Sequence, residues 1–126
     1  MGSYLLYYLI IIPISRLPFF LLYTLSDFAF IVMFYIVGYR KKVVINNIKN
    51  AFPEKPASEH LAIAKKFYKH FCDLVLEGLK GFTISEKEIK KRFKMDCDGI
   101  MNDLYKQGKD VVLVGGHYNN WEILAL

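Results

Sequence analysis

Cysteine is scarce in this chain, with Cys72 and Cys97 the only two. They have neither CxxC spacing nor a secretory context, which excludes a disulfide scaffold and a zinc ribbon and leaves two reduced thiols. Histidine is limited to His60, His70 and His117. His60 and His70 are too far round one predicted helix to share a metal, so both read as surface or boundary residues and no metal site is expected. No basic residue precedes the apolar N-terminus and no small-x-small site follows it, which argues against a cleaved signal peptide. No internal repeat or low-complexity tract is present. The basic residues lack the Gly-aromatic patterns of RNA-binding modules, so no nucleic-acid partner is expected.

Charge is the most telling absence. Residues 1–38 hold two charged side chains, Arg16 and Asp27, among Leu, Ile, Phe, Tyr and Val, whereas the remainder is charge-rich. This shift divides a membrane anchor over 1–38 from a body over 39–126. Pro13 and Pro18 break the first stretch and leave residues 17–37 as the best membrane candidate. At about 1.5 Å per residue that stretch can cross a hydrocarbon core of about 30 Å. Ser15 and Pro18 suit its N-terminal turn. Length argues for a span. Asp27 argues for a tilted or shallow helix, because a carboxylate is costly in lipid unless it faces protein or water.

Tyr39-Arg40-Lys41-Lys42 follows directly, then Lys49, with no acid before Glu54. The positive-inside tendency places the body in the cytoplasm, and the same cluster suits anionic headgroups. A solvated basic face explains any single lysine nearly as well.

Val44, Ile48, Ala51 and Phe52 recur at helical spacing between Arg40 and Phe52. Pro53 and Pro56 end that helix, and Ser58 can cap another running to about Lys80, with Leu61, Ala64, Tyr68, Phe71, Val75 and Leu79 as its core stripe. Ser85 and Glu88 form a capping-box pattern that opens a short basic helix through Lys87, Lys90, Lys91 and Arg92. Phe93, Met95 and Cys97 alternate with polar residues as a brief strand does. Residues 98–107 read as a helix stopped by Gly108. Residues 111–114, Val-Val-Leu-Val, read as a buried central strand. Helices alternating with buried strands imply an α/β body, of which this chain carries the helical first part behind its membrane helix. An incomplete sheet, and an uncapped helix opening over 123–126, lead to the expectation that these residues are the front of a longer protein and are inactive by themselves.

Directly after that apolar run come Gly115-Gly116 and then His117-Tyr118-Asn119-Asn120-Trp121-Glu122. A neutral imidazole can take a hydroxyl proton, and a nearby carboxylate can fix its tautomer and stabilise the imidazolium, which is what acyl transfer to a hydroxyl needs. A histidine and an acid five apart are common by composition alone, and on an unbroken helix they diverge by about 140°. They meet only if His117 sits in the turn before the helix, which Gly115, Gly116, Asn119 and Asn120 permit through left-handed backbone angles.

The block GGHYNNWE is similar to that of the bacterial lipid A biosynthesis acyltransferases, the lauroyl or myristoyl acyltransferases, within the wider H-x4-D/E glycerolipid-type group. The family most often has Gly where this chain has Asn119. The resemblance extends upstream through YRKKVVINNIKNAFPEK and the apolar start. It implies transfer of a fatty acyl group from acyl carrier protein, as co-substrate and with no other cofactor, to a hydroxyl of a lipid A precursor. The implied location is the cytoplasmic face of the bacterial inner membrane. By position His117 is then the general base and Glu122 its orienting partner. Asn120 and Trp121 shape the turn, while Arg40, Lys41 and Lys42 meet lipid phosphates or the acidic carrier protein. Two other readings stay open: a non-catalytic membrane-anchored remnant that binds anionic lipid or a partner protein, and a family enzyme acting on another glycolipid.

Overall fold

The computed structural model describes residues 2–92, 98–112, 114–116 and 119–121. All regular structure among them is helical. α1 (Gly2–Leu6) runs through a π-helical stretch, Tyr7–Ile11, into α2 (Ile12–Arg16). Pro13 does not break this rod. A proline lacks the N–H for the helical ladder and its ring crowds the carbonyl four residues back, here Leu9, which lies in the wider π-helical turn.

The break comes at Leu17-Pro18. The residue before a proline is pushed out of the helical region, and Leu17 has ψ 141°. α3 (Phe19–Ile31) starts after Pro18 and continues as a π-helical stretch, Val32–Val37. Ser15 is therefore not part of its first turn; it is buried in α2, and its hydroxyl donates to the Ile12 carbonyl at 2.9 Å. Gly38, left-handed at φ 62°, closes the helix end and donates to the Met33 carbonyl. By length and composition Phe19–Val37 can cross a membrane.

α4 (Lys41–Ala51) and α5 (Ala57–Lys80) form the expected helical pair. Ser58 is not the cap of α5. Pro56 holds that position in an extended conformation, and no side chain caps the helix. His60 is not on the surface either: it is buried, and its Nε2–H donates to the Phe52 carbonyl at 2.8 Å, fastening the end of α4 to the start of α5.

The buried row of α5 is His60, Ala64, Tyr68, Cys72 and Leu76, turned from the expected stripe; Leu61 and Val75 are exposed. α5 carries two apolar rows, and the one chosen is that which α3 and α4 cover. Phe34, Ile48, Ala64 and Tyr68 make the core, with Phe30, Met33, Val44, Ile45 and Ile63 packed around them. The Phe34 and Tyr68 rings meet edge to face, centroids 5.4 Å apart, and the Tyr68 hydroxyl donates to the Tyr39 carbonyl.

Burial, and then the adjacent Asp73 charge, push the Cys72 thiol up. With Cys97→Ala to remove the other thiol, Cys72 is expected to react with a maleimide at neutral pH at least about tenfold slower than in denaturant, because the thiolate is the nucleophile. Equal rates would contradict its burial.

α6 (Glu86–Arg92) opens as expected, with the Glu88 N–H donating to the Ser85 hydroxyl at 3.4 Å. α7 (Asp98–Lys106) ends in a Schellman turn, in which Gly108, at φ 63°, donates to the Tyr105 carbonyl at 3.0 Å and Lys109 to the Leu104 carbonyl at 3.1 Å. The expected buried strand is absent among the described residues: Val111, Val112 and Val114 are irregular, and the last two are 86% and 90% exposed. A strand exists only through the N–H and C=O groups of a neighbour, and no strand is described beside them. The expected strand at Phe93, Met95 and Cys97 lies outside the described residues. The fold seen is thus mostly helical.

Candidate functional site

α5 is the beam on which the site is hung. It runs antiparallel to α3, and the polar side chains of the two helices pair in order along their length. The Tyr23 hydroxyl donates to Glu77 Oε1 at 2.6 Å, the Ser26 hydroxyl to Asp73 at 2.6 Å, and Asp27 meets Lys69 at 3.0 Å. At the far end Lys80 donates to the carbonyls of Ser15 and Leu17 at 2.8 and 2.9 Å, and Thr83 to that of Ser15 at 2.6 Å. These donors satisfy carbonyls that the end of α2 leaves open.

The motif loop reaches this beam through Glu77. Its second oxygen, Oε2, accepts from Asn120 Nδ2 at 3.0 Å, so one carboxylate ties α3 and the loop to α5. Asn119, Asn120 and Trp121 then close a cleft of about 280 Å³ over Phe71, Leu74, Val75 and Gly78. His117 and Glu122 lie outside the described residues. Trp121 has 3-10 conformation.

Asn119 adopts the left-handed conformation at φ 56°, whereas neither Gly115 nor Gly116 is among the positive-φ residues. Among the described residues of the loop, the left-handed one is thus Asn119. Asn accepts this region because its short polar side chain bonds locally; a β-branched side chain collides with the backbone. Asn119→Gly is expected to leave the thermal midpoint of unfolding unchanged or raise it. Asn119→Val should cost about 1–2 kcal/mol and expose the loop to limited proteolysis. Equal behaviour of the two variants would contradict the conformation.

The basic cluster divides. Lys41 is occupied, its ammonium 3.3 Å from the Phe34 carbonyl and 3.9 Å from the centre of the Phe34 ring. Arg40 and Lys42 are exposed, and Arg40 is left-handed at φ 51°. Arg40 borders a second cleft, of about 290 Å³, with Val43, Asn47, Phe67, Tyr68 and Phe71. From Tyr68 to Gly78 is about 15 Å along a helix at about 1.5 Å per residue, so the cluster and the motif loop lie toward opposite ends of one apolar row. The structure does not bring them together. Among the described residues no group of three or more His, Cys, Asp or Glu could hold a metal ion.

Glu77 is the residue that motif spacing misses. Its signal lies in α3, where Tyr23, Ser26 and Asp27 stand at helical spacing in a mostly apolar helix and require polar partners opposite.

No curated protein and no solved structure matches the chain. The family model described as bacterial lipid A biosynthesis acyltransferase matches residues 1–126. With the match extending from the apolar start through the GGHYNNWE block, the chain belongs to the bacterial lipid A biosynthesis acyltransferase family.

Proposed function

We propose that the protein moves a fatty acyl chain from the thioester of acyl carrier protein to a hydroxyl of a lipid A precursor. The body is then α/β, anchored at the cytoplasmic face of the bacterial inner membrane through its N-terminal apolar helix. The observation that carries the reading is the family match over a chain that contains His117-x4-Glu122, in a loop joined by Asn120 to the α3–α5 pair.

In the proposed reaction His117 accepts the proton of the acceptor hydroxyl while Glu122 holds its other ring nitrogen. The hydroxyl oxygen attacks the thioester carbon, and the tetrahedral oxyanion collapses with loss of the carrier thiolate. The imidazolium returns its proton to that leaving sulfur, which restores the base. The apolar cleft under Asn119–Trp121 offers hydrocarbon a surface beside the loop.

Deleting the protein from its host is expected to leave lipid A short of one acyl chain, read by mass spectrometry of extracted lipid. Unchanged lipid A with a second glycolipid under-acylated would move the acceptor to that lipid. No change in any acylated lipid would favour the non-catalytic remnant.

A further inference from the structure

α3 has two unlike sides. Toward α5 it presents Leu22, Tyr23, Ser26 and Phe30; on the other side Phe20, Phe28 and Ile31 are exposed, with Thr24 between them, its hydroxyl bonded back to the Phe20 carbonyl at 2.9 Å, and Asp27 at the edge where the two sides meet. The apolar side suits lipid, and the mean hydropathy over Phe19–Val37 is 2.0. Its partner does not suit lipid, because α5 carries Lys65, Lys66, Lys69, Asp73, Glu77 and Lys80 along the stretch that lies beside α3.

α5 is fastened to α3 by the Tyr23–Glu77, Ser26–Asp73 and Asp27–Lys69 contacts, and to the chain on either side of it by the Lys80 bonds to Ser15 and Leu17 and by the Phe34–Tyr68 contact. α3 therefore cannot enter a bilayer lengthwise without drawing α5 in beside it. Asp27 decides the matter. It lies one residue from the midpoint of Phe19–Val37, and both it and its partner Lys69 are more than half exposed, at 55% and 57%. A lengthwise α3 would put that pair, still open to its surroundings, at the centre of the hydrocarbon, where ionised groups are tolerated only when enclosed by protein or water.

We infer that α3 lies in the plane of the membrane, its Phe20, Phe28 and Ile31 face sunk into one leaflet and α5 on the aqueous side. Both ends of α3 are then on the same side of the bilayer. The occupant of the apolar face is an anionic phospholipid leaflet. Basic residues flank both ends, Arg16 and Arg92 at the start, the latter 3.3 Å over the Phe19 ring, and Arg40 and Lys42 at the finish. An apolar face between cationic ends is the pattern of a helix held at the headgroup boundary.

This inference rests on the membrane anchoring proposed above, and flotation separates the two. The whole protein is expected to float with vesicles containing phosphatidylglycerol; failure to float, with or without self-association through this face, would overturn both. Single cysteines, Arg16→Cys and Asn46→Cys, in a Cys72→Ala, Cys97→Ala background then report topology in sealed vesicles of defined orientation. A membrane-impermeant maleimide is expected to label both positions from the same face without detergent. Labelling of one from each face would show a spanning helix and overturn the in-plane placement while leaving anchoring intact. The unaltered protein gives the same reading without substitutions: trypsin added to one face should cut after both Arg16 and Lys42, and cutting at only one of them would contradict it.

Discussion

Replacing His117 by alanine is expected to lower the rate of acyl transfer by about 10²–10⁴-fold, the range that a positioned general base contributes. The protein should still float with membranes, because anchoring depends on residues 19–37 and on the basic residues around them. Glu122→Gln should also slow the reaction, since the amide keeps the shape but loses the charge that stabilises an imidazolium. An acceptor hydroxyl is a poor nucleophile at neutral pH, so removal of its base is felt in turnover rather than in binding. A His117→Ala protein with wild-type turnover would remove the acid–base role from this position.

Tyr68→Ala carries the largest expected cost to the fold. Tyr68 is 1% exposed, its ring lies against Phe34, and its hydroxyl holds the Tyr39 carbonyl at the turn between α3 and α4. Emptying that position should destabilise the protein by about 3–5 kcal/mol, through lost burial and the cavity left behind. Tyr68→Phe keeps the ring and loses the hydrogen bond, for about 0.5–1.5 kcal/mol. Thermal unfolding in detergent separates the two; near-equal midpoints for wild type and Tyr68→Ala would mean that the α3–α4–α5 junction is not the centre of the core. The turn it secures also contains the left-handed Gly38 and Arg40, so the junction holds backbone that local preference alone does not favour.

What was legible beforehand follows from how local each signal is. The helix of 41–51, the Ser85 cap and the Gly108 stop depend on residues within a turn or two of one another, and all three are present. The buried face of α5 was not legible, because Phe67, Phe71 and Val75 make a row as apolar as Ala64, Tyr68 and Cys72. Only the position of α3 and α4 selects between them. The burial of His60 is hidden from the sequence for the same reason: it depends on the Phe52 carbonyl across a turn, not on its own helix. Val111 and Val112 show the limit of β-branched composition, which favours a strand only where another strand supplies the ladder. At the candidate site the sequence pointed to the loop and to a left-handed residue within it. It did not indicate that Asn119 would take that conformation in place of the glycines, or that Glu77 would hold Asn120.

Ester formation itself is the measurement to make, on the protein in its own membranes, supplied with acyl carrier protein bearing a labelled acyl thioester and with a lipid A precursor. The expected result is a precursor heavier by one acyl group, with free carrier thiol released in equal amount and with both products lost in the His117→Ala protein. A precursor recovered at its original mass, from wild-type protein shown to float and to be folded, would contradict the assignment of acyl transfer to this chain.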